Sequence, residues 1–174
     1  MAVSISQLPS ELPECCLRLL GRRGWFDRQL LASIRIRPAT RFVRAISSRF
    51  ITRVDISATT LGDTIYFRRA EGFDLQSPAG LALLAHEIRH VEQYREYGGI
   101  LRFARFYIIE YFQGGYGPNI SFEANAIEVG HIVRTHFESE FAHNGGILPC
   151  EGADKNFVSN PLYHFLDPVP LSMI

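Results

Sequence analysis

The chain has 174 residues, 47% hydrophobic and 21% charged, with 18 basic residues (Lys+Arg) against 18 acidic ones. It is long enough to bury one core and too apolar for disorder along its whole length. The zero net charge gives no case for a nucleic-acid partner, and no apolar run approaches the roughly 18 residues of a membrane span.

The charge is unevenly spread. Up to residue 54 there are ten arginines against Glu11, Glu14 and Asp27, so the rest of the chain carries the compensating negative charge. This is either a solvated basic surface or a docking face for an acidic partner. The adjacent Cys15 and Cys16, with Cys150 far away, suit neither a zinc-ligand spacing nor a disulfide framework, so reduced thiols are expected. The first residues hold Pro9, Glu11, Pro13 and Glu14 and lack the charged-then-apolar pattern of a signal peptide. Cytoplasmic synthesis is therefore expected, with any export by a non-classical route.

Residues 8 to 34 read as helical pieces broken by Pro13, Gly21 and Gly24. Thr40 to Phe50 has apolar residues spaced by four and suggests a short helix, and Ile51 to Ile56 alternates like a strand. After the Gly62-Asp63 turn signal, Thr64 to Phe67 reads as a second strand, expected to pair with the first across a connection longer than two residues and to lie at the sheet edge. Ser77 and Pro78 have the chemistry of a helix start, and a helix from there to Tyr97 would stop at Gly98-Gly99, with Leu81, Leu84, Ile88 and Val91 as its core stripe. An aromatic helix over Ile100 to Phe112 follows, then a third over about Phe122 to Phe141. The tail after Asn144, rich in proline, reads as extended. One domain is expected, comprising a helical segment 1–34, a core 35–143 and the tail 144–174.

The long helix contains His86-Glu87-Ile88-Arg89-His90, an H-E-x-x-H pattern. Residues four apart share a helix face, so two imidazoles so placed can grip one metal ion with little change of shape. Glu87 projects beside them, where it can act as a general base. Zinc is the cofactor this arrangement calls for, because it brings the pKa of a bound water toward neutrality and polarises a carbonyl. His86, His90, Gln93 and Tyr97 form a second face, turned away from the apolar stripe.

Two histidines leave a catalytic zinc site incomplete, since such sites take three protein ligands. Glu96 lies six residues past His90, but a ligand at that spacing needs glycine at the position of Gln93 to turn the chain. Glu123, at the start of the third helix, ranks first, followed by Glu128, His131 and Glu110. An acid in a first helical turn also complements the helix dipole without any metal. Tyr116 or His131 could stabilise an oxyanion, whereas Phe103, Phe106, Tyr107, Tyr111 and Phe112 read as core, and Arg89 and Glu92 as solvent-facing or paired with neighbours.

The run Thr60-Leu61-Gly62-Asp63-Thr64-Ile65-Tyr66-Phe67, followed by Leu83-Leu84-Ala85-His86-Glu87, His90-Val91 and Gln93, resembles a bacterial zincin-like peptidase domain. That domain is often found with extracellular contractile injection systems and polymorphic toxins. The resemblance covers about residues 40 to 98 and continues loosely to Phe122-Glu123-Ala124. It implies a gluzincin-like site with His86, His90 and Glu123 as ligands and Glu87 as base. Many gluzincins place an acid four residues after the third ligand to orient a histidine, and here that position is Ile127.

The expectation is an α+β, zincin-like fold, mostly helical, with a small sheet over the H-E-x-x-H helix. The expected function is zinc-dependent hydrolysis of a peptide or protein substrate. Two further readings stand beside it, a catalytically inactive binding or assembly module of a secretion or injection system, and a zinc hydrolase of non-peptide amides. Residues 1–34 would in a peptidase also be candidates for a removable cover over the cleft.

Overall fold

The computed structural model describes residues 10–41, 43, 57–68, 77–114, 119–146 and 148. In chain order these residues form α1 (Glu14–Arg22), α2 (Arg28–Ser33), β1 (Arg35–Pro38), β2 (Ala58–Leu61), β3 (Thr64–Phe67), α3 (Pro78–Glu96), α4 (Ile100–Gly114) and α5 (Ser121–His143). The architecture is α+β, mostly helical, with one small sheet. Most of the expected helix over Thr40 to Phe50, the strand Ile51 to Ile56, Tyr116, Cys150 and most of the C-terminal tail lie outside the described residues.

The helix boundaries follow their local chemistry. Ser77 accepts a hydrogen bond from the Gly80 N–H at 3.0 Å, and Pro78 occupies the first turn of α3, where a missing N–H costs nothing. Asp27 caps α2 in the same way, taking the Gln29 N–H at 2.7 Å. Pro13 precedes α1, as the sequence suggests, but Gly21 does not break that helix and lies buried within its last turn.

The sheet differs from the sequence reading in two respects. Its order is β1-β3-β2, with β1 parallel and β2 antiparallel to β3. Thr64–Phe67 is thus the central strand, not the edge, and Ile65 and Phe67 are almost completely buried. Its hairpin partner is Ala58–Leu61, which pairs Leu61 with Thr64 and leaves only Gly62-Asp63 between them. The tight turn is possible because Gly62 has φ of +60°, the one positive φ of this connection, as the first central residue of a type II′ turn requires. The strand β1 escaped notice in the sequence because Ile36 is its one buried residue, set between two arginines and before a proline. Pro38 ends the strand, where it removes no ladder hydrogen bond.

One apolar cluster unites α1, α2, the sheet, α3 and α5. All four residues of the expected α3 stripe, Leu81, Leu84, Ile88 and Val91, are fully buried in it, beside Leu19, Leu20, Leu31, Ile34, Val133 and Phe137. Each such side chain contributes about 1.5–3 kcal/mol of transfer free energy. Since α1 and α2 belong to this cluster, they are part of the core and not a detachable cover. Cys16 is buried, and Cys15 is disulfide-bonded, which corrects the reading of three reduced cysteines. A second, aromatic cluster gathers Phe103, Ile120 and Phe122 with Tyr94, Tyr97, Phe106, Tyr107 and Tyr111 between α3, α4 and the start of α5. No helix among the described residues is long and apolar enough to cross a membrane.

Candidate metal centre

With its apolar stripe turned into the core, α3 presents His86 and His90 on the other side, one turn apart. Their Nε2 atoms stand 3.2 Å from each other. The third group comes from α5, which runs along α3 at close range. Gly130 makes the approach possible, since a Cβ there would lie 3.0 Å from the Ala82 carbonyl oxygen and 3.5 Å from His86 Cβ. Two turns before Gly130 on the same helix, Glu123 reaches both histidines: Oε2 is 3.5 Å from His86 Nε2 and Oε1 is 3.5 Å from His90 Nε2. One ligand atom from each of the three residues falls within 4.8 Å of the others.

The residues weighed against Glu123 are held elsewhere. The Glu110 carboxylate caps α5, accepting the Ser121 N–H at 2.6 Å and the Ser121 hydroxyl at 2.7 Å. Glu96 pairs with Arg89 at 2.6 Å. Glu128 and His131 are exposed on α5, and the group of metal-ligating side chains found among the described residues includes neither.

The carboxylate and the imidazoles stabilise one another electrostatically. Burial alone would lower the pKa of His90, but hydrogen bonding and charge from Glu123, helped by the charge of Glu87, raise it to about 9. Burial alone would raise that of Glu123, yet the hydrogen bonds and charges of His86 and His90 hold it well below the usual carboxylate range. The Tyr107 hydroxyl, from α4, donates to Glu123 Oε1 at 3.0 Å.

The groups behind the histidines settle which nitrogen of His90 faces His86 and Glu123. The Gln93 amide nitrogen donates to the Phe122 carbonyl at 3.0 Å, which can only accept, so the Gln93 carbonyl end is the one turned to His90. It lies 2.8 Å from Nδ1. In the neutral ring Nδ1 therefore carries the proton, and the Nε2 lone pair points at His86 and Glu123. Ile127, at the position where an orienting acid is absent, is 46% exposed. The orienting work falls instead to Gln93 for His90 and to Tyr107 for Glu123. Gln93 was visible in the sequence only as a member of the histidine face, three residues on from His90. Tyr107 carried no sequence signal, since only the packing of α4 brings it to α5.

Glu87 is 4% exposed. Its Oε2 accepts a hydrogen bond of 2.6 Å from the Thr60 hydroxyl on β2, and the Tyr94 hydroxyl donates to the Thr60 carbonyl at 2.8 Å. Thr60 thus fastens the strand to the helix beside the cluster. The phenol of Tyr94 is pushed above its ordinary pKa, first by burial and then by the charges of Glu87 and Glu123.

The donor set suits zinc. With bonds of about 2.0–2.2 Å, tetrahedral ligand atoms stand about 3.3–3.6 Å apart. The two Nε2 atoms stand 3.2 Å apart, close to that range, and each lies 3.5 Å from a different oxygen of Glu123, so the carboxylate is within reach of both imidazoles. Two neutral imidazoles and one carboxylate also form a set that leaves a fourth position open.

No curated protein and no solved structure matches the chain. Residues 24–98, less than half of the chain, match the family model of the eCIS core domain. That stretch includes the whole sheet and α3 with His86, Glu87 and His90, and it ends before Glu123. The match supports an association of this segment with extracellular contractile injection systems.

Proposed function

We propose that the chain is a zinc-dependent hydrolase acting on peptide bonds, with His86, His90 and Glu123 holding the metal and Glu87 as general base. The observation that carries this reading is the convergence of His86, His90 and Glu123, one ligand atom of each within 4.8 Å of the others, with the buried Glu87 on the helix of the two histidines. Zinc, when bound, lowers the pKa of a water and polarises the substrate carbonyl. Glu87 takes the proton from the attacking water and delivers it to the leaving amine. Thr60 fixes Glu87 Oε2, which leaves Oε1 for that transfer. Gln93 and Tyr107 keep His90 and Glu123 in the orientation that the metal needs. The sheet edge on the side of α3 belongs to β2, so an extended peptide would lie along Ala58–Leu61, next to Glu87.

The experiment is elemental analysis of the purified chain, followed by cleavage of a denatured protein and a peptide library. One zinc per chain is expected, lost in His90→Ala and weakened in Glu123→Ala. Glu87→Gln is expected to keep zinc while losing at least about a hundredfold in turnover, as removal of a general base does. Full activity of Glu87→Gln would sink the mechanism.

The second reading is a non-catalytic module that serves the assembly of an injection system through protein partners. The family match favours it, because that match concerns association with such a system and carries no activity. Zinc binding without hydrolysis of any peptide would put it first.

A further inference from the structure

The helix α4 is apolar around most of its circumference. Its inner side supplies Phe103, Phe106, Tyr107 and Tyr111 to the aromatic cluster. On its outer side Leu101 is 85% and Phe112 80% exposed, with Ile108 at 39% and Ile109 at 43%. At 100° per residue these four positions fall within an arc of about 100°, and Arg105, also exposed, lies close to its centre. A helix apolar on both sides ordinarily has cover on both sides, and a cluster of large exposed apolar residues marks an interaction site more often than chance exposure.

We propose that this outer face is the docking surface for an amphipathic helix of a partner protein, one that carries a carboxylate at the centre of its apolar stripe. Charge complementarity identifies the occupant. Arg105 at the middle of the stripe, with Arg102 exposed at its margin, asks for an acid directly opposite. A second copy docking through its own α4 does not provide it, because the one acid of that helix is Glu110, on the inner side and occupied by Ser121. A lipid surface fits poorly as well. Interfacial helices keep their arginines on the polar side, whereas Arg105 would sit at the deepest point of insertion. The inference is independent of the hydrolase reading and stands or falls separately from it.

The test uses the full chain with a benzophenone side chain in place of Phe112. Two synthetic helical peptides of about 18 residues serve as probes, identical in their leucine stripe and carrying glutamate or lysine at its centre. Binding is measured by fluorescence anisotropy, and the photoproducts are mapped by mass spectrometry. The glutamate peptide is expected to cross-link and to bind at least about tenfold more tightly than the lysine peptide, with Arg105→Glu reversing that order. Arg105 is exposed, so the variant should melt like the parent, and circular dichroism checks this. Equal binding of the two peptides, or a preference unmoved by Arg105→Glu, would overturn the proposal. So would a photoproduct with a second copy or with residues 149–174 of the same chain, or co-sedimentation with phosphatidylserine vesicles that Leu101→Ser abolishes.

Discussion

His90 does two jobs with two nitrogens, and both are fixed by neighbours within hydrogen-bond reach. Gln93 holds Nδ1, so the other nitrogen is committed to the cluster with His86 and Glu123. Gln93→Leu removes that acceptor while keeping the volume close. It is expected to weaken zinc binding by about ten- to a hundredfold, the usual cost of losing such a partner, with the fold intact. Competition against a chromophoric chelator measures it. Unchanged affinity would mean that His90 is oriented by something other than Gln93. Next to this pair, Arg89 is 8% exposed, buried more deeply than a solvent-facing arginine would be. It donates to Asn125, Glu92 and Glu96. Burial opposes its charge, but these carboxylates outweigh burial and raise its pKa. Asn125 also accepts from Gln93, at 3.4 Å, so the ion cluster and the histidine support share one residue.

At the level of elements, the site depends on how closely α5 can lie on α3. The bare Cα of Gly130 against the Ala82 carbonyl sets that distance, and Glu123 reaches the histidines from the same face, two turns earlier. A backbone oxygen cannot move aside as the end of a side chain can. Gly130→Val is therefore expected to destabilise the chain by about 1–3 kcal/mol through overpacking, less whatever the helix gains from losing glycine. The same displacement should lower zinc affinity. Urea unfolding and the chelator competition report the two effects. A variant as stable as the parent, with unchanged zinc binding, would show that the two helices are not held by this contact.

Across the whole molecule, the surplus of arginine near the start of the chain is partly neutralised from within. Arg22 and Arg23 both meet Glu140 of α5, at 3.2 and 3.4 Å, while Arg18 pairs with Glu14 and Arg35 lies 3.7 Å from Glu11. That reduces the basic face available to an acidic partner at the N-terminal region. His136 also contacts Glu140, at 3.0 Å, and lies edge-on to Trp25 with ring centroids 5.2 Å apart. Its pKa is nonetheless lowered from 6.5, first by burial and then by the charge of Arg23, which together outweigh the pull of Glu140. The folded protein thus prefers the neutral ring, which donates Nε2–H to the carboxylate. The contribution of His136 is fully present above pH 6.5 and is lost as the pH falls through the lowered folded value. Stability should therefore decline on acidification below pH 6.5, and the decline should be shallower in His136→Gln. Parallel denaturation curves for the two proteins across that range would refute the assignment.

Local chemistry was enough for the long helix. Ser77-Pro78 at its start, Gly98-Gly99 at its end, the buried stripe and the placement of His86, Glu87 and His90 on it all follow from capping, backbone preference and period, which act over a few residues. The α+β class was legible for the same reason. Position and resemblance rank Glu123 first as third metal ligand, and the structure brings its carboxylate within 3.5 Å of both histidines. Sheet order was not legible, since hydrogen bonding between strands distant in sequence leaves no local mark. The Gly62-Asp63 turn pairs Thr64–Phe67 locally with Ala58–Leu61, but only the packed chain recruited the arginine-flanked Ile36 as a strand and so made Thr64–Phe67 central. The same holds for Thr60 against Glu87, Tyr107 against Glu123 and Glu140 between two arginines. Each contact joins residues at least 16 positions apart and exists because apolar burial fixed the elements around it.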